Sequence, residues 1–340
     1  MRCTEAMARN DNTALAPLFS LPHSQPPMAS AWAEGLHPYE PIVRDGKLYG
    51  RGGADDGYAI FGAVTALAAL QAQGVPHGRA VIIIEACEES GSPDLPHYVL
   101  ALKERIGVPT LIVCLDSGCG NYEQMWLTTN LRGLIGGNLV TTILREAVHS
   151  GSSSGVVPST FRITRALLSR IEDEATGTIK LPELHCEIPP DRLKEAAAVA
   201  TILGDEVYKN FPWVEGAAPA DVGNAELLLR RTWRPALSVT GAAGFPTLEQ
   251  AGNVLRTSTA FKLSMRLPPR CPAEPAALAL KAALEANPPF GAHVTFELEK
   301  SASGWDAPAS APWLSRAVES ASLAAFGKPP AHFGEGGSIP

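Results

Sequence analysis

Three short acidic segments, each standing where a strand should end, constrain this chain more than any other feature. They read Gly50-Arg51-Gly52-Gly53-Ala54-Asp55-Asp56-Gly57, Glu85-Ala86-Cys87-Glu88-Glu89-Ser90-Gly91-Ser92 and Leu115-Asp116-Ser117-Gly118. The second closes an apolar run at residues 79–86, where Val81, Ile82, Ile83 and Ile84 are continuous; the third closes residues 110–115. Unbroken β-branched runs are typical of strands buried on both faces of a parallel sheet. Residues 56–73 carry Ala, Leu and Gly at helical spacing with Gly74 as a stop, and residues 95–106 read as another helix. Strands alternating with helices predict a mostly parallel sheet covered on both faces. In such sheets ligands collect beyond the carboxyl ends of the strands. Carboxylates gathered there repel one another, and a divalent cation is the natural counter-charge.

Taken singly, each segment has an ordinary explanation. A Gly-rich turn with Asp can be a helix cap, Glu88-Glu89 a solvated helix start, and Asp116 a strand-end cap. Their common placement favours one shared site.

The chain has 340 residues, enough for one large domain or two ordinary ones. With 45% apolar and 19% charged residues it is expected to fold rather than stay disordered. A net charge of -7 without a basic run argues against nucleic acid as a partner. The longest apolar stretches, such as residues 80–84, are strand-sized, and no N-terminal segment has signal-peptide order. A cytoplasmic protein with no membrane contact is expected. Cys3, Cys87, Cys114, Cys119, Cys186 and Cys271 lack paired zinc-knuckle spacing, which fits a reducing compartment.

The text before Trp32, with Pro17, Pro22, Pro26 and Pro27, shows no periodicity and predicts no strand. Beyond Leu131, residues 134–144 and 260–267 read as strands, and 160–174 and 275–287 as helices. Residues 293–300 alternate, with Val294, Phe296 and Leu298 on one face. The Pro- and Gly-punctuated residues 182–249 predict long surface excursions, and 309–326 a helix. An antiparallel sheet with helices on one side is expected here.

Tyr49-Gly50-Arg51-Gly52 with Asp55-Asp56, then Glu88-Glu89-Ser90-Gly91-Ser92, then Asp116, resembles the dinuclear zinc peptidases. That family includes carnosine and other cytosolic dipeptidases, acetylornithine deacetylase and succinyl-diaminopimelate desuccinylase. The dipeptidase branch is matched by Trp32-Ala33-Glu34-Gly35-Leu36-His37-Pro38-Tyr39, Leu131-Arg132-Gly133, Val148-His149-Ser150-Gly151 with Val157-Pro158, and Glu335-Gly336-Gly337-Ser338-Ile339-Pro340.

The resemblance implies an α/β fold. A parallel-rich catalytic domain, residues 1–133 and 303–340, would be interrupted by an α+β ferredoxin-like lid and dimerisation domain at 134–302. It implies two divalent metal ions, zinc first and manganese or cobalt as alternatives. Asp55 would bridge them, with Glu89 and Asp116 as terminal ligands and Glu88 as general base. His149 would stabilise the oxyanion in a neighbouring subunit's site, although a His at a strand-to-turn junction is also an ordinary structural residue. Asn253 and Arg266 match substrate-binding positions, Arg266 pairing with a terminal carboxylate; otherwise it is a routine surface charge. Glu335 and Ser338 match a pocket-lining loop, or else an ordinary turn. The partners implied are a small peptide or N-acyl amino acid substrate and a second copy of the chain.

Two departures accompany the match. The family opens with Gly-His-x-Asp, whereas here Leu21 stands at the His position and His23 at the Asp position. A second family His would lie beyond Pro340, and His332, the nearest candidate, reads as a loop residue. Weak zinc binding and poor turnover are therefore expected, as from a truncated or frame-disrupted product. N-acyl amino acid deacylation and a non-catalytic remnant that still dimerises are the competing readings.

Overall fold

The computed structural model describes residues 13–16 and 32–339, apart from Ala86 and Ser117. Leu21 and His23 lie outside the described residues. The chain forms two compact units, Met1–Gly118 with Ile339–Pro340, and Cys119–Ser338.

In the first unit a parallel sheet has the order Arg79–Ile82, Thr13–Ala16, Pro109–Ile112. The central strand corrects the expectation that nothing before Trp32 forms a strand. Four residues are too few to show periodicity, and this strand is defined by its ladders to both neighbours. The helix Tyr58–Ala72 ends where Gly74 takes a left-handed φ of 66°. Leu95–Ala101 and Lys103–Ile106 form two helices rather than one. The apolar run is less covered than its composition implies. Val81 and Ile82 are half-buried, while Ile84 and Ile112 are exposed. The described elements do not supply the second layer that such a run calls for.

The second unit is built on an antiparallel sheet ordered His293–Ala302, Gly133–Thr142, Ser258–Leu267, Ala236–Ala243. In chain order these strands and the helices Thr160–Ile171 and Ala273–Glu285 run β-α-β-β-α-β, the ferredoxin-like arrangement. The helices bury single stripes, Ile163, Thr164, Leu167 and Ile171 on one and Ala276, Ala277, Leu280 and Leu284 on the other. These meet Ile135, Leu139, Leu263, Met265, Leu267 and Phe296 from the sheet. Gly137 is required by the packing, since a Cβ there would stand 2.5 Å from the Glu297 carbonyl and 2.8 Å from the Phe296 ring. The expected apolar face of residues 293–300 is interrupted. Leu298 is 49% exposed, and the register shifts between it and Lys300.

A further sheet, ordered Trp305–Asp306, Trp126–Leu131, Ala331–Glu335, packs with the helices Pro190–Leu203 and Asn224–Thr232 around Val199, Leu228 and Phe333. Residues 182–249 are therefore not mainly surface excursions. Pro190 opens a helix, while Gly204 and Gly223 flank helix ends, so the punctuation marks boundaries rather than loops. His332, expected in a loop, lies inside the strand Ala331–Glu335. No described helix is long and apolar enough to cross a membrane.

Leu280 is fully buried between the second helix and the sheet. Leu280→Ala is expected to cost about 2–5 kcal/mol and to lower the urea midpoint of the Cys119–Ser338 unit. An unchanged midpoint would place the core elsewhere.

Candidate active site

The acidic residues of the first unit are set by three turns. Gly52, with φ 71°, leads into the turn Gly53–Gly57, which is closed by the Gly57 N–H donating to the Gly52 carbonyl at 2.8 Å. Within it Asp55 is exposed and Asp56 is buried, and the peptide bond between them is cis. Beyond the strand Arg79–Ile82, Glu88–Ser90 forms a single 3-10 turn, with Gly91 left-handed at φ 90°. Asp116 follows the strand Pro109–Ile112, on the other side of Thr13–Ala16 and at the same carboxyl edge. The Tyr58 hydroxyl donates to the Leu115 carbonyl at 2.8 Å, tying the first turn to the third.

The four carboxylates assigned from sequence interact electrostatically. Burial, then the charges of Asp116, Glu89, Glu85 and Asp55, push Glu88 up to about 7. Burial, then Asp56, Asp55 and Glu89, push Asp116 up to about 6. Glu85, 8% exposed and with neither carboxylate oxygen hydrogen-bonded, adds a negative charge that the motif alone does not single out. Sequence shows adjacency but not depth, so neither Glu85 nor Asp56 could be separated from its exposed neighbours.

The cluster suits divalent cations by charge and by its carboxylate oxygens, and no histidine is among the groups acting on Glu88 or Asp116. The fit stops short of a formed chelate. Among the described residues, no group of three or more His, Cys, Asp or Glu side chains could hold a metal ion.

In the second unit the remaining candidates form two groups. His149 pairs with Val254 in a two-stranded ladder, and the Ser150 N–H donates to the Asn253 carbonyl at 2.9 Å, so His149 and Asn253 are neighbours. Both are exposed. His149 Nδ1 accepts the Gly151 N–H at 3.1 Å, so the neutral ring carries its proton on Nε2.

The other group surrounds the loop after Ala331–Glu335. Arg266 Nη1 donates to Ser338 Oγ at 3.0 Å, and that hydroxyl donates to the Arg132 carbonyl at 2.5 Å. Arg132 donates its N–H to the Gly337 carbonyl and its Nε to the Gly336 carbonyl, each at 3.0 Å. Burial, then the charges of Arg266 and Arg231, lower Arg132 to about 10. Glu335 is raised by burial, against the opposing effect of Arg231. Arg132 stands in a quoted motif without an assigned role. Arg231 falls in the stretch read as surface excursion, and no sequence signal marks it out.

The pH dependence of the acidic cluster has a definite sign. The folded chain holds the protons of Glu88 and Asp116 more tightly than groups at their ordinary values of 4.5 and 3.8. The unfolded chain therefore binds fewer protons, and stability falls as pH rises from about 4 through 7. Without divalent ions, thermal scans should show Tm falling across this range, and added Mn²⁺ or Zn²⁺ should restore it most at the upper end. A Tm that rises with pH and ignores divalent ions would contradict the cluster.

Comparison with known proteins adds independent findings. Residues 22–338 match the family model described as Peptidase family M20/M25/M40. The chain is 29% identical over 238 residues to human Beta-Ala-His dipeptidase, covering 68% of this chain and 46% of that protein. It is 25% identical over 239 residues to the Cys-Gly metallodipeptidase dug1 of Schizosaccharomyces pombe, covering 68% of this chain and 49% of that protein. The chain thus spans about half the length of these curated relatives. The crystal structure of human carnosine dipeptidase 1 superposes with a TM-score of 0.72 at 22% identity, covering 97% of this chain and 70% of that one. With a family match across nearly the whole sequence and the fold in common, the chain belongs to peptidase family M20/M25/M40.

Proposed function

We propose that this chain acts in metal-dependent hydrolysis of dipeptides or related amides. One observation carries the reading: Glu88, Glu89, Asp55 and Asp116 act on one another at the carboxyl edge of a parallel sheet, with Glu88 pushed up to about 7. A carboxyl near neutrality can both accept and return a proton at working pH. The dipeptidase names of the relatives favour peptides over N-acyl amino acids as substrates.

In this reading Asp55, Glu89 and Asp116 would hold two divalent ions, zinc first and manganese or cobalt as alternatives. Bound there, such ions would supply an acidified water and polarise the scissile carbonyl. Glu88, placed beside them, would serve as the general base that accepts a proton and returns it to the leaving amine. Arg266, its Nη1 fixed on Ser338, presents a planar donor fork to the substrate's terminal carboxylate. Asn253 and Glu335 line the substrate position. His149 offers its Nε2–H to the oxyanion of a second copy in a homodimer. Residues 134–302 form the lid and dimerisation domain, and the compartment is the cytoplasm.

The test combines metal analysis with turnover. The purified protein, supplied with excess Zn²⁺, Mn²⁺ or Co²⁺, is expected to take up two weakly held ions by mass spectrometry and to cleave small dipeptides slowly, losing activity to a chelator. Glu88→Gln should retain the ions while turnover drops by about 10²–10⁴. Undiminished turnover in that variant would refute the base assignment. A folded protein with neither bound ions nor turnover would refute the hydrolase reading and leave the remnant.

A further inference from the structure

Three guanidinium groups surround the Gly336–Ser338 loop, and none of them has a carboxylate in salt-bridge range among the described residues. Arg132 is 9% exposed and bonded only to neutral carbonyls, those of Gly336 and Arg230. Arg266 bonds the Ser338 hydroxyl. Arg231 has its Nε buried with no hydrogen-bond partner. Its neighbours differ. Arg230 and Arg234 both pair with Glu226, the latter at 2.6 Å. Gly336 sits between two of the three, since a Cβ there would lie 3.1 Å from Arg231 Cγ and 3.2 Å from Arg132 Nη2.

Arg132 is buried and Arg231 and Arg266 are half-buried, and desolvation opposes an unpaired cation in proportion to its burial. Glu335 feels Arg231 without forming a salt bridge to it. Three positive charges against one negative leave an excess of two. A substrate with a single terminal carboxylate, placed on Arg266, would leave one positive charge unmatched.

We propose that this arginine cluster takes a leaving residue with two carboxylates, an L-glutamyl or L-aspartyl C-terminus, whose side-chain carboxylate is received by Arg231. The assignment rests on the dipeptidase reading for the placement of the terminal carboxylate on Arg266. Arg231 is then a specificity-determining residue. Arg132 is a positioning residue that fastens the loop carrying Ser338 through its N–H, its Nε and its carbonyl.

The experiment measures binding of free L-glutamate, L-glutamine and L-alanine to the full-length metal-free chain by calorimetry, in wild type, Arg231→Gln and Arg231→Lys. A charge-assisted bond predicts L-glutamate binding at least about tenfold tighter than L-glutamine. Arg231→Gln should reduce that ratio to about one, and Arg231→Lys should keep part of it, with the fold checked by circular dichroism. Equal binding of glutamate and glutamine to wild type overturns the proposal, as does absence of binding or a preference that survives Arg231→Gln. Should Arg231→Gln not fold, the wild-type ratio and the lysine variant still decide. Turnover of Ala-Glu against Ala-Gln separates the two readings. Cleavage of both without preference refutes the role of the arginine cluster and keeps the dipeptidase. A glutamate preference in binding without cleavage of any peptide keeps that role and refutes the dipeptidase.

Discussion

Mutual repulsion of carboxylates at the end of a parallel sheet is the constraint on which the first unit depends. Glu88 and Asp116 come from adjacent turns after two strands that flank a common central strand, and the Asp55-Asp56 turn is tied in through the Tyr58 hydroxyl. No hydrophobic gain explains this assembly. Burial raises Glu88 to about 7 and Asp116 to about 6, and each neighbouring carboxylate adds to the rise. Sites that oppose stability in this way are where pKa values suited to proton transfer arise.

The second unit answers a different demand. Its ferredoxin-like sheet buries one face against two helices, so the register of every strand is fixed by which side chains must point inward. Arg266 lies opposite Leu134 and Ala236 in that register, between the buried Met265 and Leu267. Its side chain therefore leaves the sheet on the face away from the core, where Ser338 meets it. The Ser338 hydroxyl uses its one proton on the Arg132 carbonyl and a lone pair on Arg266. A hydroxyl engaged in both senses fixes the direction of the guanidinium it holds.

Legibility in the sequence followed the physics of each element. The stripe Ile163, Leu167, Ile171 and the alternation along Gly133–Thr142 are readable because one-sided burial imprints a period. Thr13–Ala16 is not readable, because a four-residue strand has no room for a pattern and is stabilised by partners distant in sequence. The acidic segments stand out as text, yet the text does not say that Glu85 and Asp56 are the buried members. Arg231 is hidden for a related reason. It sits in a helix beside Arg230, and only the fold shows that one arginine reaches Glu226 while the other keeps a buried, unbonded Nε.

Each unit thus carries a charge imbalance of its own, anionic in the first and cationic in the second. Ordinary evolution of a stable surface removes such imbalances, because either sign is relieved by a single substitution and most folds tolerate it. Positions where charge stays unmatched inside a fold are where function is sought first. The two imbalances call for different chemistry. Clustered carboxylate oxygens call for a hard cation, and paired guanidinium groups call for a carboxylate.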